Sequence, residues 1–278
     1  MTEYAEESAA PFAQRFEVAE QRRRQSLNWD GIARGMRDFS TAPTTRYYRD
    51  CEIALLSRAV GDLRGKRVLK LDLWNEAINT RILNWIAAQG ADAYGLDLSH
   101  IVASRARANA DAEGVALRLL RADIRDVPFR SNSFDVVYTM GTIEHIDEYA
   151  QAVREIRRVL KPGGTAIIGV PHKWDIFLRP LLVNVLESLG KYPYAPEKSF
   201  SARELRGVVE ESGLRVLRRT GILTIPGILR MADLFFHTRR IPLTWLTGAA
   251  AQPFGFAETR WQWPGYFGYL LTMVAEKP

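Results

Sequence analysis

The 278-residue sequence has a single cysteine, Cys51, which cannot form a disulfide within the chain. A lone thiol fits a reducing compartment better than a secreted protein. No apolar run approaches the roughly 18 residues that span a bilayer, and the N-terminal segment lacks the apolar core of a secretory signal peptide. We therefore expect a cytoplasmic protein, with peripheral contact at the inner face of the membrane as an open alternative.

Clusters of metal ligands are also missing. None of the four histidines lies at ligand spacing from the cysteine or from acidic residues, so we expect no bound metal. With 47% apolar and 25% charged residues, the composition excludes disordered, collagen-like and disulfide-scaffold proteins. The chain is expected to bury a sizeable hydrophobic core.

Basic side chains are in excess, with a formal net charge of +6, and the excess is concentrated near the C-terminus. Residues 214–278 hold eight lysines and arginines against three acidic residues. Such a segment suits an anionic lipid surface or a phosphorylated substrate, and it equally suits a solvated basic face. Aliphatic and aromatic side chains interrupt the arginines, so we expect no nucleic-acid partner.

Strand and helix patterns alternate from Gly65 onward. Strands are predicted at 66–72, 93–98, 117–124, 134–140, 165–170, 214–220 and 266–276. Helices are predicted at 80–89, 99–114, 147–160 and 201–212, and a turn at 161–164. Strands that are apolar over four or five consecutive residues are typical of a parallel sheet covered by helices on both faces.

The turns after the strands should carry the function, because open α/β sheets bind ligands at the carboxyl ends of their strands. Asp97 ends the second strand, where it can accept hydrogen bonds from both hydroxyls of a ribose or simply cap the next helix. Asp123 and Ile124 end the third strand and suit an exocyclic amine and an adenine ring. His145 follows the fourth strand, either as a general base or as a histidine that orders the loop.

Four motifs follow one another at these turns. They are Asp123-Ile124-Arg125-Asp126-Val127-Pro128-Phe129, Ser133-Phe134-Asp135-Val136-Val137, Glu144-His145 and Leu160-Lys161-Pro162-Gly163-Gly164. The set resembles the class I S-adenosylmethionine-dependent methyltransferases of the small-molecule type. The resemblance implies an α/β fold: a Rossmann-like seven-stranded methyltransferase sheet with helices on both faces, whose last strand runs antiparallel and pairs with the sixth.

The resemblance also implies how the chain is divided. We expect a helical N-terminal extension over 1–60, the methyltransferase core over 61–221, an insertion or lid over 222–264, and the terminal strand of the core over 265–278. Aromatic and aliphatic residues fill the insertion between its arginines. It is expected to roof the substrate, to pack on the sheet as a helical subdomain, or to touch a membrane peripherally through 222–264.

The glycine-rich first motif of the family is absent. Leu71-Asp72-Leu73-Trp74-Asn75-Glu76 follows the first strand without a glycine. In one interpretation the turn has a different shape, Asp72 or Glu76 binds the amino group of the cofactor, and Asn75 supplies the position with positive φ. In the other, Trp74 closes the pocket and the domain no longer binds cofactor.

We favour the first interpretation, because the turns keep carboxylates and a Glu-His pair that a merely structural protein does not need. It predicts S-adenosylmethionine as cofactor, a small-molecule or lipid-linked acceptor, and His145 as the base where one is used. The predicted cofactor-binding residues are Asp72, Asn75, Glu76, Asp97, Leu98, Asp123, Ile124, Thr139 and Met140. The alternative function is a catalytically inert methyltransferase-like binding or scaffold protein.

Overall fold

A seven-stranded sheet in the order β3-β2-β1-β4-β5-β7-β6 lies at the centre of the protein. The computed structural model describes residues 3–192, 194–261 and 266–278, with side chains for residue 17 and from residue 19 onward, so the predicted limits at 264 and 265 lie outside the described residues. The strands are β1 Arg67–Leu71, β2 Asp92–Asp97, β3 Arg118–Arg121, β4 Phe134–Met140, β5 Leu160–Pro171, β6 Arg215–Ile222 and β7 Leu270–Glu276. Neighbours from β3 to β5 are parallel, and β7 runs antiparallel between β5 and β6. The predicted fold class is confirmed.

The helices of the described chain cover both faces of the sheet. They are α1 Glu3–Gly35, α2 Pro43–Val60, α3 Trp74–Ile78, α4 Ile82–Ala88, α5 His100–Ala112, α6 Tyr149–Val159, α7 Arg179–Ser188, α8 Ala202–Glu211, α9 Gly227–Arg239 and α10 Thr244–Arg260. Ser99 caps α5 by accepting from the Val102 N–H. Ser201 and Glu204 form the expected capping box of α8. The helix predicted at 80–89 corresponds to α4, which begins at Ile82, and the short α3 before it was not predicted.

Two hydrophobic clusters lie on the two faces of the sheet. One lies under α2, α5 and α10 and includes Leu56, Val102 and Ala251. The other lies under α6 and α8 and includes Ile156 and Leu205. Because the sheet is covered on both sides, its central strands are buried and its carboxyl edge is left for ligands.

The turn predicted at 161–164 is wrong, because this stretch belongs to β5. The pairing register with β4 shifts between Phe134 and Val136, which marks a bulge. Gly163 takes φ of 74°, and its N–H donates to the Lys277 carbonyl at 2.8 Å. The backbone therefore stays hydrogen-bonded where the sequence alone indicates a break.

Buried acids anchor α9 and α10 to α2. Glu258 of α10 accepts from the Tyr47 hydroxyl at 2.5 Å and from the Leu223 N–H at 2.8 Å. Asp233 of α9 accepts from both the N–H and the hydroxyl of Thr44, at 2.9 and 2.6 Å. Within the described ranges, no helix combines the length and the hydropathy needed to cross a membrane.

Candidate functional site

A cavity of about 700 Å³ opens at the carboxyl ends of β1, β2, β3 and β4 and continues beneath α7 and α9. Asp72, Asp97 and Asp123 line the part at the strand ends, which we call the strand-end half. The remainder, the helical half, is lined by α7 and α9 together with Tyr48 and Tyr194. A volume between about 300 and 1,000 Å³ is usual for pockets that enclose small molecules.

The turn after β1 takes its unusual shape at Asp72, whose φ is 136°. The expectation that Asn75 supplies the positive φ is therefore wrong. Asp72 accepts from the Thr142 hydroxyl at 2.8 Å, which ties the turn to the end of β4. Positive φ at a residue with a side chain is strained by about 1–3 kcal/mol, so neighbouring contacts must hold it.

A buried lysine supplies those contacts. Lys70 is fully buried, and its Nζ lies 2.8 Å from Asp72 Oδ1, 2.9 Å from the Asp72 carbonyl and 3.0 Å from Glu76 Oε2. Burial alone would lower the pKa of Lys70, but the two carboxylates raise it above its ordinary value. Burial raises the pKa of Glu76. We call these three residues the Lys70 cluster.

The two large side chains of the turn leave the cavity open. Leu73 is fully buried and packs against Gly95 of β2, where an added Cβ would lie 2.5 Å from Leu73 Cδ2. Trp74 stands in the cavity wall, with its ring 5.8 Å from those of Trp29 and Tyr194 in edge-on contacts. The closure that would favour an inert protein is therefore absent from this part of the structure.

Asp97 lies between the turn and the cavity. Its Oδ2 accepts from the Leu73 N–H at 2.8 Å and its Oδ1 from the Ser99 N–H at 2.7 Å. Burial raises the pKa of Asp97 to about 7, although these two hydrogen bonds oppose the rise. The carboxyl group thus orders the turn and also lines the strand-end half.

Helix α1 closes the strand-end half from above. Arg22 lies 3.2 Å from Asp123, and the Ser26 hydroxyl donates to the Leu98 carbonyl at 2.9 Å. Arg125 donates to Asp123 at 2.7 Å. Burial alone would raise the pKa of Asp123, but these arginines lower it. The predicted adenine-side carboxylate is therefore ionised and already held in place.

His145 and Glu144 lie at the junction of the two halves. Nδ1 of His145 lies 2.9 Å from the Pro196 carbonyl, so it carries the proton and Nε2 keeps a lone pair. Burial lowers the pKa of His145. Burial raises the pKa of Glu144 well above its ordinary value, and its Oε2 is buried without a hydrogen-bond partner among the described residues. The ring of Trp29 packs edge-on against His145 at 5.0 Å.

Most of the predicted site residues line the cavity, and two do not. Asp72, Asn75, Asp97, Leu98, Asp123, Ile124, Met140 and His145 line it. Glu76 is in the Lys70 cluster and also accepts from the Leu83 N–H. Thr139 is fully buried and donates to the Leu71 carbonyl. The expectation that Glu76 and Thr139 face the cofactor is corrected by this geometry.

The sequence reasoning missed several residues of the site. Lys70 carried a usable signal, because a charged residue inside an apolar strand requires acidic partners nearby. Trp29 and Arg230 carried none, since their contacts with the cavity join segments far apart in sequence. Glu144 was recognised as part of the Glu-His pair, but its burial depends on tertiary packing.

Comparisons with known proteins agree with this architecture. A family model described as a methyltransferase domain matches residues 77–168. The ubiquinone biosynthesis O-methyltransferase of Methylobacterium nodulans is 30% identical over 227 residues, which are 79% of this chain and 90% of that protein. The chloroplastic tocopherol O-methyltransferase of Arabidopsis thaliana is 35% identical over 114 residues, which are 38% of this chain and 33% of that protein.

Among solved structures, the magnesium protoporphyrin IX methyltransferase of Synechocystis, with bound S-adenosylhomocysteine, matches with a TM-score of 0.55. It is 14% identical, and the match covers 84% of each chain, so it supports the fold alone. The long match to the Methylobacterium protein goes further. This chain belongs to the class I S-adenosylmethionine-dependent methyltransferase family.

Proposed function

We propose that the protein transfers a methyl group from S-adenosylmethionine to a nucleophilic atom of a small-molecule or lipid-linked acceptor. The observation that carries this proposal is the single cavity in which the strand-end half joins the helical half. Methyl transfer requires two molecules to be held end to end and shielded from water, and one continuous cavity does both. The names of the relatives refer to ubiquinone and tocopherol, which supports an apolar acceptor.

The residues of the strand-end half fit the cofactor, which supplies a methyl group on a sulfonium sulfur. Each oxygen of Asp97 accepts one N–H and keeps a second lone pair, so this carboxylate can still receive ribose hydroxyls. Ile124 offers an apolar surface to the adenine. The Asp123 carboxylate already accepts from Arg125 and lies 3.2 Å from Arg22, so it can accept from the exocyclic amine in exchange for one of these partners. Asp72 can pair with the amino group, and Met140 adds apolar surface nearby.

We propose His145 as the base where one is used. A neutral imidazole with the proton on Nδ1 has its lone pair on Nε2, and the lowered pKa keeps it neutral at pH 7. Such a group can take the proton of a hydroxyl acceptor as the new bond forms. The Pro196 carbonyl fixes the ring orientation and therefore the tautomer.

Calorimetric titration with S-adenosylmethionine and S-adenosylhomocysteine tests the proposal. We expect binding near micromolar, about −8 kcal/mol. Asp97→Ala and the milder Asp97→Asn should abolish or strongly weaken it while the circular dichroism spectrum is kept. Asp92→Ala, at the opposite end of β2, is the matched control and should bind normally. Absence of binding by the unaltered protein would favour the inert scaffold instead.

We further propose that α9 and α10 contact a membrane surface peripherally, within the segment 222–264. Ile228, Trp245 and Phe256 are 74, 66 and 65% exposed, although each is strongly apolar. Arg239 and Arg240 at the end of α9 are also exposed and suit anionic headgroups. A lipid-linked acceptor could then enter the helical half from the bilayer.

Sedimentation with vesicles of phosphatidylcholine and phosphatidylglycerol measures this contact. The double variant Arg239→Glu, Arg240→Glu should lose most of the vesicle-bound fraction, because it reverses two charges at the surface. Arg206→Glu on α8, which packs on the opposite face of the sheet, is the matched control. Equal sedimentation of both variants and the parent would remove the membrane proposal.

A further inference from the structure

The helical half of the cavity contains an arginine that has no ion pair in the described part of the chain. Arg230 of α9 lines this half, and its guanidinium lies 5.6 Å above the Tyr48 ring. Nη1 donates to the Thr44 hydroxyl at 3.3 Å. Among the described residues, no carboxylate lies within ion-pair distance of it. Arg230 is half-buried, so water can stabilise its charge only in part when a counter-ion is missing.

The other arginines deep in the cavity are different. Arg125 pairs with Asp123 and Glu148, at 2.7 and 2.9 Å. Arg179 pairs with Glu197 and lies 3.7 Å above the Tyr269 ring. These guanidinium groups are neutralised within the protein, whereas that of Arg230 has no ion pair among the described residues. Arg239 also lines the cavity without an ion pair there, but it is exposed and Arg230 is half-buried.

The nearest acid of α9, Asp233, reaches Arg230 only through the Thr44 hydroxyl. Asp233, one turn further along α9, is fully buried and accepts from the N–H and hydroxyl of Thr44 and from the Thr247 hydroxyl. Burial raises the pKa of Glu144 well above its ordinary value, which favours the neutral form of this carboxyl group. Thr44 donates its proton to Asp233, so its oxygen is free to accept from Arg230 and hold the guanidinium in place.

The surroundings of Arg230 are apolar. Aliphatic side chains line the helical half on several sides: Leu182, Val183, Leu186, Leu223, Ile225 and Leu234. A chamber of this kind favours an apolar ligand body, and the guanidinium of Arg230 favours a planar oxyanion, which it can bind through two parallel hydrogen bonds.

We propose that Arg230 binds a carboxylate of the acceptor, so that the acceptor is an amphipathic acid with an aliphatic or aromatic body. This inference rests on the proposed function of the same cavity, because it assigns the helical half to the acceptor. It names a chemical class narrower than that of the proposed function.

The inference is tested by titrating the protein with decanoate and with its uncharged analogue decanamide. Binding is detected by the fluorescence of the cavity tryptophans Trp29 and Trp74. We expect the full-length protein to bind decanoate at least tenfold more tightly. Arg230→Gln should remove this preference, and Arg230→Lys should keep part of it. Arg206→Gln, on the opposite face of the sheet, is the matched control and should keep all of it. Unchanged melting temperatures confirm that the variants are folded.

Equal binding of decanoate and decanamide, or a preference that survives Arg230→Gln, would overturn the inference. A stronger preference for decyl phosphate would also overturn it, since the anion would then be a phosphate. Binding of S-adenosylhomocysteine is measured on the same samples and reports separately on the proposed function. Lost cofactor binding with an intact carboxylate preference would reject methyl transfer and leave the acid-binding site standing.

Discussion

Substitution of Lys70 by methionine is the sharpest test of how the glycine-free turn is held. Methionine keeps the apolar stem of the side chain and removes the ammonium group. Glu76, with no exposed side-chain surface, would then be left without the cation 3.0 Å away, and Asp72 would lose its partner at 2.8 Å. Breaking a buried ion pair by removing one member costs about 3–5 kcal/mol.

That loss is large beside the total stability of a domain, about 5–15 kcal/mol. Urea unfolding followed by tryptophan fluorescence gives the free energy of unfolding of each variant. Lys161→Met is the matched control, because the pair of Lys161 with Asp135 is 39 and 29% exposed and is worth less than about 1 kcal/mol. The double variant Lys70→Met, Glu76→Gln should regain part of the loss, since one orphaned charge is removed.

The pH dependence provides a second check. Without Lys70, Glu76 takes up a proton more readily, so the destabilisation should shrink as the pH is lowered. If Lys70→Met costs no more than Lys161→Met at neutral pH, or if Glu76→Gln restores nothing, the ionic explanation of the turn is refuted.

Three further outcomes are expected. Burial raises the pKa of Glu52 to about 7 from 4.5, so the contribution of this residue to stability is lost as the pH rises through 7. In urea titrations, Glu52→Gln should have the same free energy of unfolding as the parent at pH 4. At pH 8 its free energy of unfolding should be higher than that of the parent by about 3 kcal/mol. Gly95→Ala should lower the free energy of unfolding by about 1–3 kcal/mol and weaken S-adenosylhomocysteine binding in calorimetry, because the new Cβ collides with Leu73. The control Gly207→Ala in α8 should not lower the free energy of unfolding, since its Cβ meets no atom within 4 Å. Asp30→Ala should speed hydrogen exchange across α1, since Asp30 holds this helix to the start of α5.

Each outcome can fail clearly. A pH-independent difference between Glu52→Gln and the parent would place the titrating group elsewhere. Equal stability of the two glycine variants would mean that Leu73 is free to move. Unchanged exchange in Asp30→Ala would show that α1 is docked by other contacts.

The sheet could be predicted because strand and helix signals are local. Each of these signals is formed by residues that are close in sequence, as in the apolar runs, the Ser99 cap and the capping box of Ser201 with Glu204. Once the strands are known, their carboxyl ends place Asp97 and Asp123 at one edge of the sheet. The start of α3 was missed because its first residues were interpreted as a ligand-binding turn.

The rest of the site depends on contacts between distant segments. The pairing of Arg22 with Asp123 joins residues far apart in sequence and leaves no periodic pattern. Glu76 was assigned to the cofactor because a carboxylate in that turn matched the family motif. Its burial beside Lys70 could be anticipated only by asking what a lysine needs inside a strand.

The replacement of glycine by Asp72, Leu73 and Trp74 changes the unfolded chain as well as the folded turn. Glycine loses more backbone freedom on folding than any other residue, so a turn built from side-chain-bearing residues begins from a narrower unfolded ensemble. Here the conformational entropy saved in the unfolded state offsets part of the strain at Asp72. Asp72→Gly would therefore relieve strain in the folded state while widening the ensemble that folding must order.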